Sequence, residues 1–302
     1  MDRRKFLKTA AVAGCGLLIG EALLSGNSLS EAAEKYDLVV AQGAGKSPSD
    51  ITKAAINAIG GMKRFVSRGD IVVVKPNIGW DRLPEQAANT NPEVVAAVVK
   101  LCFEAGAKKV KVFDRTCNDP RRCYKQSGIA VAVSSLGAEV SFIDERRFRD
   151  ISIKGEVIKS WPLYRDIFEA DKIINVPVAK HHGLAKLTMA MKNWMGVMGG
   201  QRGGIHQKIG ESLADLCLVI RPSLTVLDAI RILTANGPQG GDLKDVKRLD
   251  TVIAGVDQVA IDSYGATLFG MKGSDLSYVK AGNAMGIGNM DISRLKINRL
   301  NV

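Results

Sequence analysis

Aromatic side chains make up only 5% of the 302 residues, and no arginine-rich or aromatic-basic cassette stands out. Nucleic-acid binding, which needs a cationic track interleaved with stacking platforms, is therefore not expected. The five cysteines contain no C-x2-C-x2-C run, so no iron–sulfur motif is present. No G-x-S-x-G elbow and no H-E-x-x-H helix occurs, which removes the common serine-hydrolase and zinc-protease signatures. Gly43-Ala44-Gly45-Lys46-Ser47 looks like a phosphate loop. However, Val40 stands where the leading glycine belongs and Pro48 follows, so a nucleotide loop is rejected. There is neither an internal repeat nor a low-complexity linker.

What is present is ample apolar material, 46% of the chain, and a formal net charge of +11. That content can bury one large core or two small ones. The basic balance favours anionic partners. The chain opens with Asp2-Arg3-Arg4-Lys5-Phe6-Leu7-Lys8 and a short apolar run interrupted by Gly14, Gly16, Gly20 and Glu21. Paired arginines before small apolar residues predict a twin-arginine signal over residues 1–33, with cleavage near Ala32 or Ala33. The expected destination is the periplasm or another extracytoplasmic space, and the translocase is the expected transient partner. The mature protein is expected to be soluble. Val12-Ala13-Gly14-Cys15 also looks like a lipoprotein box, but the apolar stretch before Cys15 is very short, which disfavours lipid attachment. In an oxidising compartment, Cys117 and Cys123 on one short polar loop are expected to form a disulfide.

From residue 36 on, strand-like and helix-like patterns alternate. Asp70–Lys75, Lys109–Asp114 and Lys172–Val178 are apolar runs of the kind buried on both faces of a sheet. Asn91-Pro92 reads as a helix cap followed by proline at the first helical position, and Gly106 reads as the stop. Residues 124–136, 187–198, 207–220 and 257–269 are expected to be helical. The alternation predicts an α/β fold over 34–302, a layered and mostly parallel sheet with helices on both faces. A division into two lobes with a cleft between them would fall near 145–165, where the pattern is weakest.

In such sheets ligands gather beyond the carboxyl ends of the strands. Those ends carry Lys75-Pro76-Asn77, Asp114-Arg115-Thr116, Lys180-His181-His182 and Asp228. Asn91 opens a helix whose free N–H groups could hold an anion. Of only three histidines, His181 and His182 are adjacent and His206 follows soon after. One of the adjacent pair is the expected acid–base group or ligand of a divalent metal. Lys186, Thr188, Lys192 and Asn193 are polar within an otherwise apolar, methionine-rich stretch. Thr188 and Lys192 would share one helical face.

Taken together, Lys75-Pro76-Asn77, Asn91-Pro92, Val112-Phe113-Asp114, Asn175-Val176-Pro177, Lys180–Gly183, Lys192-Asn193, Asn236-Gly237-Pro238 and Asp257–Asp262 resemble the family called domain of unknown function 362, in its twin-arginine-exported branch. The likeness covers about residues 36–272. Many relatives carry an appended ferredoxin-like module, which this chain is expected to lack. More distantly the arrangement is similar to the nickel-pincer lactate racemase fold, where lysine and histidine act in an interdomain cleft; that likeness is one of fold alone.

The expected activity is an exported enzyme acting on a small anionic substrate. His181, His182, Lys186 and Lys192 would be its catalytic groups. Lys75, Asn77, Asn91, Thr188 and Asn193 would bind the substrate, supported by Asp114 and Asp228. Two alternatives stay open: a non-catalytic protein that binds an anion or metal, and an accessory factor for an exported redox complex. A homo-oligomer is compatible with either.

Overall fold

The computed structural model describes residues 36–302. The signal segment and Cys15 lie outside the described residues. The first helices start where local chemistry tells them to. Helix α1 (Pro48–Ala58) is capped by Ser47, whose hydroxyl accepts from the Asp50 amide. Helix α2 (Pro92–Glu104) is capped by Asn91, which accepts from the Glu93 amide, and stops at Gly106 with φ 103°. Both carry proline at the first turn, where its missing N–H costs nothing.

One ten-stranded sheet runs through the described residues. Its strands are β1 (Leu38–Gln42), β2 (Ile71–Pro76), β3 (Lys109–Val112), β4 (Glu139–Val140), β7 (Lys172–Val176), β8 (Val178–His182), β9 (Lys186–Thr188), β10 (Leu224–Leu233), β11 (Val246–Gly255) and β12 (Ile297–Asn301). The order is β12-β1-β11-β10-β7-β2-β3-β4, with β8 on β10 and β9 on β8. Pairings are parallel except β1–β11, β10–β11 and β8–β9. A separate antiparallel hairpin joins β5 (Phe148–Ser152) to β6 (Ser160–Tyr164). It occupies the stretch where a lobe boundary was expected, and the main sheet draws strands from both sides of it.

Strand periodicity assigns the two faces. Val39, Ala41, Val72, Val74, Val110 and Val112 pack beneath α1, α2 and α4 (Ile129–Ser134). Leu38, Val40, Val73, Leu227 and Ile253 face the other way, onto α5 (Ile209–Val219), α6 (Gln258–Thr267) and α7 (Ser277–Ala284). Helices therefore cover both faces, as the alternating pattern requires. Among the described residues no helix is long and apolar enough to cross a membrane.

Two expected helices differ. Residues 124–136 form α3 (Pro120–Gln126) and α4, separated at Gly128 with φ 71°. Residues 187–198 are not an α-helix. They form the end of β9, a turn, and a short 3-10 helix over Lys192–Val197. The amides of Ala190 and Met191 donate to the buried Asp262 carboxylate at 2.7 and 2.9 Å, which diverts them from a helical ladder.

The feature that opens a site is Pro177. Strand β7 lies between β2 and β10. Proline cannot donate to a ladder. Beyond it, β8 continues along β10, but its other edge takes β9 instead of β2, which has ended at Pro76. The chain enters the resulting gap from the loop after β2 and from the 3-10 segment.

Candidate functional site

A cavity of about 420 Å³ occupies this gap. The side chains reach it from five stretches far apart in sequence: Asn77 after β2, Asp114 after β3, Lys180 and His182 on β8, Lys192 and Asn193 in the 3-10 helix, and Arg202 and His206 beyond it.

Its floor is a polar network. Lys75 is fully buried, and its ammonium donates to Asn193 Oδ1 at 3.0 Å and the Pro76 carbonyl at 2.8 Å, beside Asp114 Oδ1 at 2.8 Å. Asp114 Oδ2 accepts from the Ile78 amide at 2.6 Å. Burial lowers the proton affinity of Lys75, and Asp114 opposes that. Asn193 Nδ2 donates to Asn175 Oδ1 and the Lys75 carbonyl, so the Asn-Val-Pro and Lys-Asn motifs lock together. Gly196 must be glycine here: a Cβ would stand 1.8 Å from Asp114 Oδ1. Asp262 holds the turn that presents Lys192, which gives the last expected motif a role in the same place.

The wall is cationic. Lys180, 1% exposed, donates to the Ala88 carbonyl and Asn77 Oδ1. Lys192, 7% exposed, reaches only Met195 Sδ, at 3.3 Å. Neither has a carboxylate partner among the described residues. Burial, first of all, pulls Lys180 down to about 7 and Lys192 to about 8. Arg202 is clamped by the carbonyls of Arg115, Met195 and Thr116 and also carries no carboxylate. Arg115, by contrast, pairs with Glu145 at 3.3 Å.

Two imidazoles stack beside these cations, His182 on His206, with centroids 5.4 Å apart and planes at 15°. His182 Nδ1 accepts from the amides of Leu184 and Ala185, both at 3.1 Å, so its proton sits on Nε2. His206 Nδ1 lies 2.9 Å from the Gly203 carbonyl, which can only accept, so its proton sits on Nδ1. His206 Nε2 is then a bare lone pair, buried with no partner. Burial, and then the Lys192 charge, push His182 down to about 3; burial also lowers His206. Both rings are neutral near pH 7. Thr188 Oγ1 is likewise buried without a partner on the cavity wall.

Several expected site residues fall elsewhere. His181 points to the opposite side of β8 from Lys180 and His182, as period two demands. Its Nδ1 accepts from the Gly237 amide at 3.0 Å, and it lines a neighbouring cavity. Lys186 faces that second cavity too, exposed, because its φ of 63° breaks the strand alternation. Asn91 is the cap of α2, with its side chain and backbone both engaged. Asp228 is buried and accepts from the Asn91 and Ile230 amides. Neither of these two lines the cavity, and the α2 N-terminus is closed to an anion.

No disulfide joins Cys117 to Cys123; both are free. Cys123 is buried in α3 with its sulfur 3.7 Å from the Gly79 carbonyl, whereas Cys117 is exposed on the cavity rim. The histidines do not fit a metal. Among the described residues no group of three or more His, Cys, Asp or Glu gathers to hold one, and His181 and His182 diverge. Lys180, Arg202 and His206 are among the cavity residues to which sequence reasoning assigned no role. For Lys180 a signal existed: it is two residues before His182 on a strand.

These features define a class: a mostly parallel α/β protein with a cationic cleft at the carboxyl ends of its strands. The chain belongs to the family described as domain of unknown function (DUF362), whose match covers residues 72–267. It is 30% identical over 218 residues to the thylakoid-associated protein sll1697 of Synechocystis sp., across 70% of this chain and 66% of that protein, just under two thirds of the relative's length. Among solved structures it is similar to the lactate racemase apoprotein of Thermoanaerobacterium thermosaccharolyticum. The TM-score is 0.46 and the identity 12%, over 84% of this chain and 58% of that one. A protein from Thermotoga maritima matches with TM-score 0.46 and 10% identity, over 80% and 59%.

Proposed function

We propose that this chain is an enzyme that binds a small carboxylate-bearing substrate in the cleft and moves a proton on it. The observation that carries the reading is the pair of buried ammonium groups, Lys180 and Lys192, which face the cavity with no carboxylate among the described residues to neutralise them. Buried charge without a partner is costly, and an anionic ligand supplies the missing partner.

The neutral imidazoles give the cleft its chemistry. His206 Nε2 accepts a proton from the substrate, while Nδ1 stays anchored on Gly203. His182 Nε2–H donates to negative charge as it develops, and Lys192 stabilises that charge. Lys75 lies beneath the cavity and braces Asp114 and Asn193, which line it, so that the floor holds its shape. In this reading residues 1–33 direct the protein through the twin-arginine translocase to the periplasm as a soluble enzyme. Replacing Arg3 and Arg4 together by lysine should then leave it in the cytoplasm.

The test is proton exchange. The full chain is incubated in deuterium oxide with a panel of short mono- and dicarboxylic acids, and deuterium uptake is read by mass spectrometry. Uptake that is lost in His206→Gln, with binding retained, supports the reading. Tight binding with no uptake from any acid would identify a binding protein instead.

A further inference from the structure

Cys117 stands on the rim of the same cleft, and nothing in the proton-transfer chemistry uses it. Among the described cysteines it is the exposed one; Cys102, Cys123 and Cys217 are buried. Its amide donates to the Gly79 carbonyl at 2.8 Å, which fixes the backbone. Arg202 Nη2 donates to its sulfur at 3.4 Å. Both Nη1 donors and the second Nη2 donor go to three carbonyls, which holds the guanidinium against the sulfur. Negative charge on the sulfur also acts on Lys75, Lys180 and Lys192, favouring their protonated forms. The nucleophilic form of a cysteine is the thiolate.

A second observation points to a ligand at this place. Thr188 is 4% exposed, lines the same cavity, and its hydroxyl has no partner. An unsatisfied buried hydroxyl is unfavourable, and a polar group brought into the cleft would relieve it.

We infer that Cys117 is a covalent capture site for small carboxylate-bearing disulfides, which leaves an anionic thiol tethered in the cleft with its carboxylate against Lys192 and Lys180. The inference rests on the reading of the cleft as an anion site. The Cys117 thiolate attacks one sulfur of the disulfide. A new S–S bond forms as the old one breaks, and the departing thiolate leaves with the electron pair and takes a proton from water. One disulfide is consumed and one is formed, so no further oxidant is required. Within the described chain the adduct has no resolving thiol at hand, because Cys123 is buried on Gly79 and burial pushes it up to about 11. The adduct therefore persists until an external thiol removes it.

The experiment compares three disulfides on the full chain carrying Cys15→Ser: dianionic 5,5′-dithiobis(2-nitrobenzoate), neutral 4,4′-dithiodipyridine and dicationic cystamine. Each rate is divided by the rate of the same reagent with free N-acetylcysteine, and the adduct is located by peptide mass mapping. The expected result is a single adduct at Cys117, formed roughly 10-fold or more faster by the dianion than by the dication. That preference should shrink in 0.5 M salt, on the order expected when a Debye length of a few ångströms screens the wall. Lys192→Met should reduce it as well, and the salt series settles the point if that variant fails to fold. Equal normalised rates, or an adduct at Cys102, Cys123 or Cys217, would overturn the capture. Calorimetry of malonate with the unmodified protein separates the two readings. Malonate binding without a dianion preference sinks the capture alone, whereas neither binding nor preference sinks both.

Discussion

Replacing Asp114 by asparagine should remove the carboxylate paired with a lysine that sees no water. Lys75 is 0% exposed, and its ammonium has three neighbours: Asp114 Oδ1 at 2.8 Å, the Pro76 carbonyl at 2.8 Å and Asn193 Oδ1 at 3.0 Å. Asparagine is the same size and can still accept from the Ile78 amide, so the loss is one of charge and not of shape. Breaking one side of a buried ion pair costs about 3–5 kcal/mol, mostly because the other charge is stranded. For a domain of this size that corresponds to a fall in melting temperature of about 6–20 °C. Lys75→Met should cost a comparable amount, leaving the carboxylate with a single amide. The double variant removes both charges, so its cost should fall short of the sum by up to ~3 kcal/mol. Urea denaturation of the four proteins closes the cycle. Strict additivity, or a loss below ~1 kcal/mol for Asp114→Asn, would refute the pair as the foundation of the floor.

Malonate affinity should decline as pH rises from 7 to 9, because Lys180 at about 7 and Lys192 at about 8 lose their protons. Stability of the free protein should move the opposite way. Unfolded lysines titrate near 10.5, so between about 7 and 10.5 the unfolded chain binds more protons and the folded state gains as pH rises; calorimetry and urea melts across this window check both slopes. Gly196→Ala should destabilise by ~3 kcal/mol or more, since the new Cβ must displace Asp114 or Lys75, whereas Gly183→Ala, with nothing within 4 Å, should stay within about 0.5 kcal/mol in the same melts. Asp262→Ala should cost about 2 kcal/mol or more by stranding two buried amides and should weaken malonate binding by releasing the turn before Lys192; Asp262→Asn should recover part of both.

The layered fold was legible because its signals are local. The cap at Asn91 and the apolar runs of β2, β3 and β7 each declare their own element. The helix expected at 187–198 failed for a non-local reason. Met189, Met191, Trp194, Met195 and Met198 give that stretch the look of a helix packed on a core, and most of them are buried. What prevents the helix is a carboxylate 71 positions away along the chain, which takes the Met191 amide. The disulfide expectation failed on direction. A short loop brings Cys117 and Cys123 near in sequence, but α3 begins at Pro120 and turns Cys123 into the core while Cys117 stays on the rim.

The candidate site was half legible, and the dividing line is the parity of a strand. The adjacent histidines invite treatment as a unit. On β8 they cannot act as one, because neighbouring residues point to opposite faces. Even-numbered Lys180 and His182 look into the cleft, and Thr188, across from Lys180 on β9, joins them. Odd-numbered His181 is spent on the Gly237 amide, at a point where Gly237 itself has no room for a Cβ, only 2.0 Å from the His181 carbonyl. Had the segment been a helix, Lys192 and Thr188 would have shared a face through a four-residue spacing. They share the cavity instead because a strand and a tight turn deliver them from different directions. The same parity argument could have recovered Lys180 from sequence once β8 was recognised. It could not have recovered Arg202 or His206, whose places depend on a glycine-rich segment folding back over the strand ends. Residues fixed by periodicity can thus be read before the fold is known, and residues fixed by a loop's return path cannot.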